Sequence, residues 1–176
     1  MKKVIWIVAL CLVTALAAHA QAPAGNAVVS TAQRSLQRFT RNLTGAAETM
    51  PAEKYGYRPT PEEMGFGESI AHIAEVNNFS CSKFADVPMP TTKVTDKDSK
   101  EKLVAALKES FDYCAQTLAK LDDAKLEDPI TFFGGRPATR AAAVFELIDD
   151  LSDHYATLSV YLRLNGLLPP SAQPKK

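Results

Sequence analysis

His154 lies on an apolar run with helical spacing, three residues after Leu151 and four before Leu158. An imidazole on such a stripe faces a core, where both ring nitrogens need partners. Asp150 comes four residues earlier, on the same side of the helix. His72 belongs to another apolar-periodic stretch, on the flank marked by Val76 and Phe79. If these two segments face each other, His72, Asp150 and His154 converge. Two imidazoles and one carboxylate suit a divalent metal that keeps open positions for water. Such a metal acidifies bound water or polarises a substrate oxygen. Glu68 and Glu75, at i−4 and i+3 from His72, are the nearest spare ligands or general bases. The same residues admit a plainer reading, in which Asp150 or a hydroxyl simply holds a core His154 and His72 flanks the surface.

Two cysteines, Cys81 and Cys114, also lie on apolar stripes. In an oxidising compartment such a pair forms a disulfide; otherwise the two are buried thiols used as small apolar residues. Their spacing is not CxxC, which argues against a redox enzyme. The chain has neither a GxGxxG nor a Walker-type glycine loop for phosphate. With 176 residues, 46% hydrophobic, 23% charged and a formal net charge of zero, it suits one globular domain. No basic stripe is present, so nucleic acid is not an expected partner.

The N-terminus reads differently from the rest. Lys2 and Lys3 precede an apolar run over 4–17, and Ala18-His19-Ala20 is a small-x-small cleavage signal. This is the layout of a secretory signal peptide over 1–20, with a run shorter than the roughly 20 residues that span a bilayer. Cleavage after Ala20 would leave 18 basic residues against 20 acids and remove Cys11 and His19. The expected mature chain is soluble, free of the membrane, and either periplasmic or secreted.

The elements that position the chemistry follow from periodicity. Residues 21–27 read as a flexible lead. Val29, Ala32, Leu36, Phe39, Leu43, Ala46 and Met50 mark a first amphipathic helix, which Pro51 ends. The loop over 51–66 holds Tyr55, Tyr57 and Phe66, too apolar for a free linker. A second helix is predicted from about Gly67 to Phe84, followed by a proline- and threonine-rich connection to Lys97. Asp98 and Glu101 resemble a capping box for a third helix, on which Leu103, Leu107, Phe111, Cys114, Leu118 and Leu121 form the stripe. A connection over 122–137 leads to a fourth helix from about Ala138 to Asn165, with Gly166 as its C′ residue. The sequence shows no strand-like alternation. Four such helices make an all-α four-helix bundle over 28–168, and residues 169–176 read as a disordered tail. The long connections argue against a simple up-down order. Two glycosylation-type sequons, at Asn42 and Asn78, fall on helices and are read as chance.

Several segments resemble the DinB family. Met50-Pro51-Ala52-Glu53-Lys54-Tyr55-Gly56-Tyr57-Arg58-Pro59-Thr60-Pro61-Glu62 is similar to the connection after that family's first helix. Phe66-Gly67-Glu68-Ser69-Ile70-Ala71-His72-Ile73-Ala74 resembles its second helix with its histidine. Asp153-His154-Tyr155 and Tyr161-Leu162-Arg163-Leu164-Asn165-Gly166-Leu167-Leu168-Pro169-Pro170 resemble its fourth helix and the end of it. The resemblance implies an up-down-down-up bundle, commonly a homodimer, with a divalent metal site, often zinc or nickel, built from three histidines. His72 and His154 match two of the three. The third position, four residues before His154, is Asp150, and the family's usual glutamine three residues after the last histidine is Thr157 here. Some relatives are thiol-dependent transferases or isomerases, but their thiol cosubstrates are cytoplasmic. For an exported member the expectation is therefore a metal-dependent hydrolase or group-transfer protein acting on an unspecified small molecule. The alternative is a metal-free helical binding or structural module with a degenerate site.

Overall fold

The computed structural model describes residues 25–174. The signal-peptide reading and most of the lead lie outside the described residues, and Ala27, read as part of that lead, opens the first helix. Four helices dominate: α1 (Ala27–Thr49), α2 (Phe66–Ala85), α3 (Lys100–Leu118) and α4 (Arg140–Leu164). Each buries the stripe its sequence marks. Leu36 and Leu43 of α1, Ile70, Ile73 and Phe84 of α2, Leu103, Leu107 and Phe111 of α3, and Leu147, Leu151, Leu158 and Leu162 of α4 meet in one core. Each such side chain contributes roughly 1.5–3 kcal/mol by leaving water.

Residue pairings fix the helix directions. Between α2 and α3, Asn77 Nδ2 donates to Ser110 Oγ at 3.0 Å, and Cys81 is joined to Cys114 by a disulfide with a Cα separation of 5.2 Å. Both numbers rise together along these pairs, so the two helices run parallel. Between α1 and α3 the order reverses. Gln33 reaches the Leu118 carbonyl, whereas Glu48 pairs with Lys108 and the Met50 carbonyl accepts from Lys100 Nζ. Between α2 and α4 it reverses again, with His72 beside His154 and the Met64 carbonyl, just before α2, accepting from Tyr161. The arrangement is up-down-down-up. Around the bundle the order is α1, α3, α2, α4, so the connections α1–α2 and α3–α4 cross its ends diagonally and must be long.

Local chemistry sets the helix ends. Asp123, beyond α3, caps α1 from a distance: its carboxylate accepts from Val28 N at 2.9 Å and Val29 N at 2.8 Å. This satisfies two of the amides that a helix N-terminus leaves without partners. The N-cap of α3 is Ser99, whose Oγ accepts from Lys102 N. Asp98, read as the cap, instead accepts from Thr95 N and pairs with Lys102 at 2.6 Å, because a serine stands one residue closer to the helix. At the end of α4, Gly166 takes φ 74°, its N–H reaches the Arg163 carbonyl and Leu167 N–H reaches the Leu162 carbonyl. This left-handed turn is favourable for glycine and closes a Schellman motif.

Two expectations are corrected. The connection before α4 contains an antiparallel hairpin, β1 (Pro129–Thr131) with β2 (Pro137–Thr139), paired as Pro129↔Thr139, Ile130↔Ala138 and Thr131↔Pro137. Three-residue strands are too short to show alternation. The second concerns the chain beyond Pro169, expected to be disordered. Pro170–Ala172 forms a 3-10 turn, and Tyr155 Oη donates to Ser171 Oγ and accepts from Ser171 N. Gly45 on α1 makes room for Pro170: a Cβ there would lie 2.9 Å from the proline ring.

Candidate metal centre

The seam between α2 and α4 brings together the three residues singled out in the sequence. α2 is anchored at its start by Glu68, whose Oε2 accepts from Gly65 N at 3.1 Å and meets Arg58 at 3.4 Å. From that first turn the helix carries His72 toward α4. α4 starts at the cap Thr139, whose Oγ1 accepts from Ala142 N, and its core stripe then turns Asp150 and His154 toward α2. The rings of His72 and His154 stand edge to face with centroids 5.1 Å apart. One ligand atom from each of His72, Asp150 and His154 lies within 4.8 Å of the other two, and all three residues are half-buried.

The hydrogen bonding of this trio bears on how His154 is held. Asp150 Oδ1 is 3.5 Å from His154 Nε2, within ion-pair reach but too long for a normal hydrogen bond. Asp150 Oδ2 is buried with no partner at all. Asp150 is therefore not a cap that satisfies the imidazole. Leaving a carboxylate oxygen dry and unpaired is costly. A cation set between the three side chains would satisfy that oxygen and a lone pair on each histidine together. Two imidazole nitrogens and one carboxylate oxygen form a ligand set suited to a divalent ion that retains solvent positions.

Glu68 and Glu75 do not join the trio. Glu68 is occupied by the start of α2 and by Arg58. Glu75 is exposed and faces the α3 side of its helix. Two aromatic clusters stand two turns along α2 and α4 from the trio. Two turns along α2 from His72, Phe79 stacks on Phe133 of the hairpin turn at 4.3 Å and tilts against Phe132 at 5.6 Å. Gly134 and Gly135, at φ 66° and 80°, form the turn that follows those two phenyl rings. Two turns beyond His154, Tyr161 packs edge-on against Tyr57 at 5.8 Å. Burial, with Glu63 nearby, raises the Tyr161 phenol above its ordinary pKa. The Phe132-Phe133-Gly134-Gly135 run was the available signal for the aromatic wall: two aromatics before a glycine turn.

Comparison with known proteins agrees with this architecture. A DinB-like protein from Bacillus cereus superposes with a TM-score of 0.69 at 18% identity, over 80% of this chain and 95% of that one. Another from Bacillus subtilis gives 0.67 at 21%, over 82% and 99%. A variant of the mycothiol-dependent maleylpyruvate isomerase gives 0.62 at 10%, over 74% of this chain and 60% of its own. At these identities the likeness is one of fold. No curated protein matches the chain in sequence. The family model for the DinB superfamily matches residues 35–158, which contain all of α2, α3 and the His72, Asp150 and His154 trio, and the chain belongs to that superfamily.

Proposed function

We propose that this chain is an exported DinB-superfamily protein that holds one divalent metal ion through His72, Asp150 and His154 and acts on a small molecule by hydrolysis or group transfer. The observation that carries the reading is the convergence of the trio: three ligand atoms within 4.8 Å of one another, beside an Asp150 Oδ2 that is buried with nothing to bond. When bound, the ion would supply Lewis acidity to a water or a substrate oxygen. His72 and His154 offer imidazole nitrogens, which suit zinc or nickel. Asp150 adds one negative charge and, through its second oxygen, a place to hold a proton of bound water. The clusters of Phe79, Phe132 and Phe133 and of Tyr57 and Tyr161, two turns along the helices from the trio, would favour a substrate with apolar character.

The disulfide between Cys81 and Cys114 supports export, since such bonds persist in oxidising compartments. Outside the cytoplasm the thiol cosubstrates of some relatives are absent, which favours hydrolysis. Among the described residues no helix is long and apolar enough to cross a membrane. The homodimer implied by family resemblance remains part of this reading. Phe145, Val160 and Leu164 are exposed along α4, where a second copy would cover them.

The test is elemental analysis of the protein purified from the periplasm after expression with its own leader, beside His154→Ala. About one zinc or nickel ion per chain, lost in the variant, is the expected result. No metal in either, even after soaking with zinc and nickel, would replace this reading with the metal-free helical binding module.

A further inference from the structure

The seam between α2 and α3 holds a second cavity, on a different face of α2 from His72. The two helices run parallel, so the chain over 87–97 must travel back along them to start α3, and it lies across their seam as a strap. Tyr113 Oη fastens it by donating to the Pro88 carbonyl at 2.9 Å. Beneath the strap the helices present alanines, Ala71 and Ala74 from α2 and Ala106 from α3. These short side chains leave space beneath Met89 and Val94 of the strap. The result is a largely apolar cavity of about 370 Å³, in the range of about 300–1,000 Å³ usual for small-molecule sites.

One buried polar residue lines this cavity. Asn78 is 6% exposed, and its Oδ1 is buried without a partner. The neighbouring Asn77 shares the unpartnered oxygen, but its amide donates to Ser110 and it does not line the cavity. A buried carboxamide oxygen without a partner is an uncompensated loss of hydration. The burial also closes the Asn78-Phe79-Ser80 sequon to glycosylation. At the rim stand two exposed carboxylates, Glu75 and Glu109, neither of which forms an ion pair among the described residues, together with exposed Lys93, Thr92 and Thr95 of the strap. A charged head of either sign placed at Asn78 would lose its hydration and find only a neutral amide.

We propose that this cavity is a ligand site, separate from the metal centre, for a small molecule with an apolar body and a neutral hydroxyl or amide head that bonds to Asn78. The alanines and the strap enclose the body, Asn78 reads the head, and the cost of burying a charge beside a neutral amide disfavours carboxylic acids.

Backbone-amide NMR titration of the purified protein with three probes of one shape tests this: phenylpropanol, propylbenzene and phenylpropionate. Phenylpropanol is expected to give saturable shifts at Ala71, Ala74, Asn78 and Ala106. The hydrocarbon and the acid should each bind at least about tenfold more weakly. Asn78→Leu should remove the preference for the alcohol over propylbenzene, and Ala74→Phe should block all three probes without changing zinc binding. If Ala74→Phe does not fold, Val94→Trp on the strap fills the same space. Absence of saturable shifts up to the solubility limit, shifts located elsewhere, or an alcohol preference that survives Asn78→Leu would each overturn the proposal.

Discussion

The imidazole of His72 on α2 meets that of His154 on α4 edge to face, at 61° between planes and 5.1 Å between centroids. Contact across a bundle seam fixes both rings before any ligand arrives. The geometry therefore makes unequal demands on the three ligands. Removing either imidazole takes away a nitrogen donor and opens the seam. Asp150→Asn keeps the shape and one oxygen but loses the charge. Titration with zinc should show His72→Ala and His154→Ala weakened by well over the roughly 10–100-fold typical of lost supporting contacts. Asp150→Asn should fall within that range. Equal affinity in all four proteins would place the ion elsewhere.

Asp150→His would give the site the three nitrogens that family resemblance implies. Nickel and zinc prefer imidazole to carboxylate, so this variant should bind both more tightly than wild type, with the larger gain for nickel. Competition against a chromophoric chelator reads the order. A wild type that binds nothing beside a variant that binds tightly would mean that aspartate at this position abolished the site.

Metal held only by the native state must raise stability by mass action. At free ion a hundred times the dissociation constant the gain is about 2.7 kcal/mol. For a chain of this size that corresponds to a rise in melting temperature of roughly 5–11 °C. A thermal melt with zinc, repeated with chelator, should show this difference in wild type and lose it in His154→Ala. Identical melts would contradict a metal bridging α2 and α4.

Legibility in the sequence differed sharply between parts of the molecule. Stripes such as Leu103, Leu107 and Phe111 announced the helices, because a period of 3.6 over several turns has few alternative readings. His154 and Asp150, one turn apart, were legible as a pair for the same reason. His72 could be joined to them only by knowing that α2 faces α4, which spacing suggests and packing decides. The Ser99 cap was missed because Asp98 and Ser99 are both good caps and a one-residue choice depends on backbone geometry. The hairpin was missed because three-residue strands carry too little pattern. The Asp123 cap of α1 and the seat of Pro170 against Gly45 join positions distant in sequence, which no local signal marks.

The disulfide between Cys81 and Cys114 ties two parallel helices that the strap connects, a sequence separation of 33. In the chain-entropy model a loop of that size contributes on the order of 3–4 kcal/mol. The double variant Cys81→Ala with Cys114→Ala should lose about that much in urea unfolding, with little change in the α2/α4 seam. Its zinc affinity should stay near wild type. A large loss of metal affinity would show that α2 needs the cross-link to aim His72.

Tyr55 links the loop after α1 to the core, and its stability contribution has a definite pH window. Its hydroxyl donates to the Ala47 carbonyl at 2.7 Å, and its ring packs edge-on against Phe66 at 5.3 Å. Burial, reinforced by Glu101 and Glu48, pushes its phenol far above the ordinary value of 10.0. In the unfolded chain the phenol ionises near 10, whereas in the folded protein it stays protonated. The native state therefore binds the extra proton above that pH. Stability is fully present below pH 10 and is lost as pH rises toward the folded pKa. Tyr113 and Tyr161, also raised by burial, act in the same direction. Tyr55→Phe should cost about 0.5–1.5 kcal/mol at neutral pH, from the lost hydrogen bond. Above pH 10 its stability should fall less steeply than that of wild type. Urea midpoints from pH 8 to 11 measure both effects, and parallel curves for the two proteins would show that Tyr55 titrates freely in the folded state.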